Sequence, residues 1–187
     1  MRHTIQAAFV LLCLVGFAPG TASVARAEDA SKRASIDSGV DSALSNLYAS
    51  VPGAQGVVSR ATGVLVFPEI TKAGFIIGGS GGEGALRVGG RSIGYYRTGG
   101  LSFGLQAGAE RHSMALVFMT PQALQNFQNS NGWDVGGDAS VAIVQTGAGG
   151  KVDATQLTKP VQVFVYGNKG LMGSLSLEGT KITREDL

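Results

Sequence analysis

An α+β fold is what this 187-residue chain predicts: a curved, mainly antiparallel β-sheet body of sandwich or barrel-like form, with an N-terminal amphipathic helix and one further short helix. Three observations lead there. Apolar residues recur at helical spacing from Ile36 to Tyr48, and after Gly63 the hydrophobic period shortens to that of strands. Glycine, at 29 residues, is about twice its usual share yet lacks collagen's three-residue repeat. Inside strands it permits bulges, bends and close backbone approach, which is what strong curvature needs.

The first 27 residues read as a secretory signal. Arg2 and His3 precede an apolar run from Ala7 to Ala18, and Ala25-Arg26-Ala27 offers small residues for cleavage after Ala27, ahead of Glu28-Asp29. The run is shorter than the roughly 20 residues that span a bilayer. Lipoprotein anchoring at Cys13 is not expected, because Leu12 is bulky where processing wants a small residue and Leu14 to Phe17 continue the apolar core. The expectation is therefore a signal at 1–27 and a single domain at 28–187, exported to the periplasm or cell envelope. Cleavage removes Arg2 and Arg26 and leaves 13 basic against 13 acidic residues, a net charge of zero. Nucleic acid, which requires a surplus of Lys and Arg on one face, is not an expected partner. The one cysteine leaves with the signal, so neither a disulfide nor a thiol site is expected in the mature chain.

The domain divides into a helical lead-in at 30–61 and a β-rich body at 63–187. From Ala30 to Ser50, Ile36, Val40, Leu44, Leu47 and Tyr48 fall on one helical face, with Ser, Asp and Asn on the remainder. Val51-Pro52-Gly53 ends that helix, since proline lacks an N–H and restricts the residue before it. Ala54 to Ala61 allows a second short helix. Short strands follow at Val64–Phe67, Gly74–Gly78, Ala85–Val88 and Ile93–Arg97, with Gly89-Gly90 as a two-residue hairpin turn. Alternation from Leu101 to Ala109 predicts a half-buried strand, and Met114–Met119 supplies another. Thr120-Pro121 caps a helix to about Gln128 with Leu124 and Phe127 inward. Val141–Val144, Val161–Tyr166 and Leu171–Leu177 complete the strands, and Gly147 to Gly150 reads as a turn.

Motifs of catalysis are present in letters only. Gly79 to Gly84 spells G-x-G-x-x-G, but Ala85 to Val88 reads as a strand where the dinucleotide fingerprint needs a helix, so a flexible β-turn is expected there. G-x-S-x-G occurs at Gly78–Gly82 and Gly100–Gly104 without the strand-to-helix turn or histidine base of a nucleophile elbow. The mature chain's one histidine, His112, stands beside Arg111 and reads as a solvated surface residue. Asp134 and Asp138 flank Gly136-Gly137 without an EF-hand pattern, which favours turn capping over calcium binding. The expectation is no enzyme, no cofactor and no metal site. Candidate binding residues are Lys72, Arg87, Arg91, Arg97 and Arg111, five cations in a stretch whose only acids are Glu83 and Glu110. A patch that attracts phosphate and a scatter of solvated strand charges both remain open readings.

The tracts GVLVFPEITKAGF (Gly63–Phe75), GYY (Gly94–Tyr96), SFGLQAGA (Ser102–Ala109), GWDVGGDASVAIV (Gly132–Val144) and GLMGSLSLEGTKITR (Gly170–Arg184) occur in order along the chain. Together they resemble the SYLF (Ysc-like) lipid-binding domain family, over nearly all of the chain from about Ile36 onward. The resemblance implies a membrane-associated binding module without catalysis, whose partner in a cell envelope is an anionic phospholipid or lipid headgroup at a peripheral membrane surface. It also implies membrane contact through the helix face of Ile36, Val40, Leu44, Leu47 and Tyr48. That helix carries Asp37 and Asp41 on its polar face, where interfacial helices carry Lys or Arg, so packing onto the domain is the competing reading. Two other classes remain: an integral outer-membrane β-barrel, against which the helices and short strands argue, and a structural envelope protein without a lipid ligand.

Overall fold

The computed structural model describes residues 21–74, 77–103, 108–138, 140–145, 158–169, 177 and 179–187. Helix α1 (Thr21–Ser50) and the short α2 (Ala54–Val58) precede four long strands, β1 (Gly63–Gly74), β2 (Ile77–Val88), β3 (Arg91–Phe103) and β4 (Gly108–Phe118). Helix α3 (Pro121–Gln128) follows, then β5 (Trp133–Asp134), β6 (Val141–Gln145), β7 (Val161–Lys169) and β8 (Lys181–Glu185). The eight strands form one curled sheet in the order β5-β8-β3-β2-β1-β4-β7-β6. Every pairing is antiparallel except β6 with β7. The predicted α+β class, with its mainly antiparallel curved sheet, is what the chain adopts.

Period-two alternation sends each strand's side chains to opposite faces and so builds two cores. Leu65, Phe67, Leu86, Tyr96, Met114, Leu116, Phe118, Val163 and Val165 face one side, where Leu124 and Phe127 of α3 join them. Val64, Val66, Ala85, Ala115, Val117, Phe164 and Tyr166 face the other, beneath Ile36, Val40, Ala43 and Leu47 of α1. The sheet curls toward the α3 side, where Phe118 of β4 and Trp133 of β5, with four strands between them in the sheet order, bring their rings to 6.3 Å. A Cβ at Gly84 would run into the Val66 carbonyl and the Phe67 ring, and one at Gly82 would lie 2.5 Å from the Glu69 carbonyl oxygen. Only glycine lets β1 lean so closely over β2. The register of β1 slips against both neighbours around Pro68, which has no N–H to give the ladder.

Gly79 to Gly84 is therefore not the flexible turn expected of it; it lies inside β2, paired with β1 and β3. The strand predicted at Gly74–Gly78 is instead the closing end of the β1–β2 hairpin, where these two glycines pair with each other. The single strand expected from Leu101 to Ala109 is divided between the end of β3 and the start of β4, with 104–107 outside the described residues. Strands β1 to β4 run 11 to 13 residues, about twice the length anticipated, because glycine lowered strand preference along segments that the sheet holds by pairing on both sides. The short strands β5 and β8 carry no clear alternation and had not been anticipated. The strand predicted at Leu171–Leu177, apart from Leu177, and the turn at Gly147–Gly150 lie outside the described residues.

Local signals set the other boundaries. α1 begins nine residues earlier than predicted and passes through Ala27; it ends before Pro52 and Gly53, the latter at φ 93°. Gly89 and Gly90 take φ of 58° and 81°, the paired positive values of a primed hairpin turn, and Val88 faces Arg91 across it. The α3 helix starts as expected: the Thr120 hydroxyl accepts from the Ala123 N–H at 3.2 Å and Pro121 opens the first turn.

Candidate functional site

The five cations singled out in the sequence do not gather into one patch. Arg87 points to α1, where its Nη2 lies 3.0 Å from Asp41 Oδ1 and 3.7 Å from Asp37 Oδ1 and donates to the Asp37 carbonyl. Asp37 also accepts from Ser92 Oγ at 2.6 Å and Tyr95 Oη at 3.0 Å, so this residue fastens the helix to the β2–β3 hairpin. Arg97, on the same face, pairs with Glu185 at 2.8 Å and Glu83 at 3.6 Å. Lys32 of α1 binds both of those carboxylates, at 2.8 and 2.9 Å, and they hold its ammonium above the ordinary lysine range, Glu185 foremost. Arg111 lies 3.6 Å from Glu69. Arg91 stands at the hairpin tip, exposed, in no ion pair among the described residues. Its neighbour Ile93 is 45% exposed, and no atom lies within 4 Å of where a Cβ would stand on Gly89 or Gly90.

The helix face assigned by resemblance to membrane contact is turned inward in this fold. Ile36, Val40 and Leu47 are buried against the sheet, and Leu44 and Tyr48 pack partly buried around them. Gly39 sits where a Cβ would come within 3.0 Å of Pro68 Cγ, so the helix approaches the β1 bulge closely.

Lys72 belongs to the inner face instead. It lies directly opposite Glu110 on β4, and two positions along, on the same face, Ile70 lies opposite His112. His112 is 5% exposed, which overturns its reading as a solvated surface residue: counting back by twos from Phe118, Leu116 and Met114 along β4 reaches His112 and then Glu110 on the buried face. Burial holds the imidazole below the ordinary histidine range; Lys72 pushes the same way and Glu110 opposes. Across the sheet, Ile70 abuts Gly82, Gly82 pairs with Thr98, and Thr98 pairs with Ile182. Thr98 is 1% exposed. Its Oγ1, His112 Nδ1 and Glu110 Oε1 are buried without a hydrogen-bond partner. Sequence reasoning missed this set because it read His112 as a solvated surface residue, took Glu110 only as an acid in the stretch of five cations, and gave Thr98 no role.

The acidic turn after β5 is satisfied internally. Asp134 Oδ1 accepts from the N–H groups of Gly136 and Gly137, and Asp138 accepts from Trp133 Nε1 at 2.7 Å and Ser140 N at 2.8 Å. Burial raises the Asp138 carboxyl, but the bonds from Ser140 and Trp133 outweigh it and leave the group below the usual carboxylate range. Turn capping, as expected, is what these acids do. The Ser80 hydroxyl of both glycine motifs donates to the Gly100 carbonyl at 3.4 Å.

Residues 99–186 match the family model described as "Ysc84: Las17-binding protein actin regulator". No curated protein matches the chain. The matched segment holds the second part of β3 and all of β4 to β8, whereas β1 and β2 lie between β3 and β4 in the sheet. The segment thus supplies both flanks of one sheet whose middle comes from the residues before it.

Proposed function

We propose, from the premise that the chain belongs through residues 99–186 to the Ysc84 (SYLF) family, that this protein is a non-enzymatic module that binds anionic phospholipid peripherally at a membrane of the cell envelope. The observation that carries the lipid reading is the β2–β3 hairpin tip. There an exposed guanidinium with no carboxylate partner among the described residues, Arg91, stands beside the exposed aliphatic Ile93, at a turn of two glycines with nothing crowding them. A cation next to an apolar side chain at a protruding turn is complementary to an anionic headgroup above the acyl boundary.

Export is supported by how the fold spends its N-terminus. Among the described residues, Lys32 is the first of α1 to form an ion pair with the sheet, so cleavage after Ala27 would leave those ties in place. The non-enzymatic reading is supported by His112, whose Nδ1 meets no hydroxyl, and by Ser80, whose hydroxyl is bonded to backbone. The actin regulation in the family's description belongs to the proteins it describes and is not carried over. No described helix is long and apolar enough to cross a membrane, which says nothing of strands. The length of β1 to β4 removes one argument against a membrane barrel, while α1 covering one face of the sheet favours the peripheral reading.

Co-sedimentation of the mature chain with liposomes of graded anionic content is the test. Retention rises with anionic fraction and falls with salt, since attraction between exposed charges is screened within about 8 Å at physiological ionic strength. Arg91→Gln weakens it by about 1 kcal/mol, near fivefold. Retention indifferent to anionic fraction would overturn the proposal.

A further inference from the structure

The inner face of the sheet holds an opposed ion pair that has not closed. Lys72 and Glu110 are direct cross-strand partners, which puts their Cβ atoms about 4.5–5.5 Å apart on the same face. Yet neither takes part in an ion pair among the described residues, and Glu110 Oε1 is buried without a donor. One row deeper, His112 Nδ1 and Thr98 Oγ1 are also buried without partners. Such groups cost free energy when left unsatisfied, and native folds pair nearly all of them. Three on one face, beside a lysine and a glutamate held apart, make a surface that lacks its complement.

We propose that this face is a binding site for a small zwitterion carrying a phosphate and an ammonium, the chemistry of a phosphoethanolamine group. Lys72 Nζ donates to the phosphate, and Glu110 Oε1 accepts from the ammonium. The buried imidazole stays neutral at neutral pH and so offers one donor or acceptor without adding charge, and the Thr98 hydroxyl turns to meet whichever atom remains. Lys72 and Glu110 are half-buried, whereas His112, in the next row of β4, and Thr98, on β3 in the row of Gly82, are buried on the same face of the curled sheet, so the charged pair forms the mouth and the two neutral groups lie deeper. A purely anionic ligand leaves Glu110 opposed to like charge, and a purely cationic one does the same to Lys72; only a ligand with both signs satisfies both. The site is separate from the hairpin tip, so the lipid reading above and this one fail separately.

The experiment follows the His112 and Thr98 resonances of the mature chain by NMR while O-phosphoethanolamine is added, with inorganic phosphate and ethanolamine as separate titrants. Saturable shifts at both residues are expected. Glu110→Gln and Lys72→Gln, each checked for unchanged circular dichroism, should each weaken O-phosphoethanolamine binding by roughly tenfold or more, the loss of one charge-assisted hydrogen bond. Glu110→Gln should strengthen the weak response to inorganic phosphate, since it removes the like charge that opposes an anion there. Arg91→Gln should not alter O-phosphoethanolamine binding. A parallel arm uses vesicles of phosphatidylcholine with and without phosphatidylethanolamine: response to both the free compound and these vesicles identifies a lipid headgroup site, and response to the free compound alone identifies a soluble ligand. Absence of His112 and Thr98 shifts in both arms, or shifts that survive both charge substitutions, overturns the proposal.

Discussion

A single methyl group separates the two kinds of glycine in β2. Gly79 has open space where its side chain would be, whereas Gly84 has the Val66 carbonyl and the Phe67 ring. Gly84→Ala is therefore expected to lose about 1–3 kcal/mol through overpacking in urea unfolding, and Gly79→Ala to stay within about 0.5 kcal/mol of the parent. Near-equal values for the two would mean that curvature does not depend on bare backbone at Gly84. His112 gives a residue-scale prediction of another kind. Burial depresses its folded pKa, so the unfolded chain binds the proton more readily and stability falls as pH drops below the ordinary histidine value near 6.5, until the folded pKa is passed. Melting temperature should decline between about pH 7 and about pH 5, and His112→Gln should flatten that slope. The same slope in parent and variant would place the titration elsewhere. His112 was legible, had strand alternation been run back from Met114; its neighbour Arg111 drew the reading outward instead.

At the scale of elements, α1 is held by two systems side by side. Its apolar stripe packs on Val64, Val66, Ala115 and Val117, and its polar flank is tied down by Lys32, Asp37 and Asp41. Leu47→Ala, at a fully buried site, should cost about 2–5 kcal/mol; Leu44→Ala, at a half-buried one, should cost less. A stripe that served the membrane instead would give a variant with unchanged melting and weakened liposome retention. The helix, the hairpin turn and the α3 cap were legible because each rests on local chemistry: periodicity, paired positive φ, a threonine hydroxyl ahead of proline. Strand length was not, since glycine in β2 and β3 lowers local preference while neighbours on both sides restore the ladder. Nor were the partners of the arginines legible. That Arg87 would meet Asp37 and Asp41 depends on α1 crossing the β2–β3 hairpin, a relation between segments about fifty residues apart.

The whole molecule tests the reading of export and of solubility. Intact mass of the exported form should correspond to a chain beginning at Glu28 without lipid, and that form should remain in solution without detergent; a diacylated species beginning at Cys13, or extraction only in detergent, would contradict these expectations. The meeting of Lys32 with Glu185 has one more consequence. It brings the start of the sheet-bound part of α1 against the last strand, with Leu187, partly buried, packed against the core cluster that this helix shares. The order in which the segments are strung is then separable from the architecture they build. A circularly permuted chain, with Leu187 joined to Glu28 through a short glycine-serine linker and new ends opened between Gly89 and Gly90, should refold to the same sheet, because that turn is exposed with open space at both glycines, and the bond from Arg87 Nη1 to the Gly90 carbonyl that crosses the cut is itself exposed.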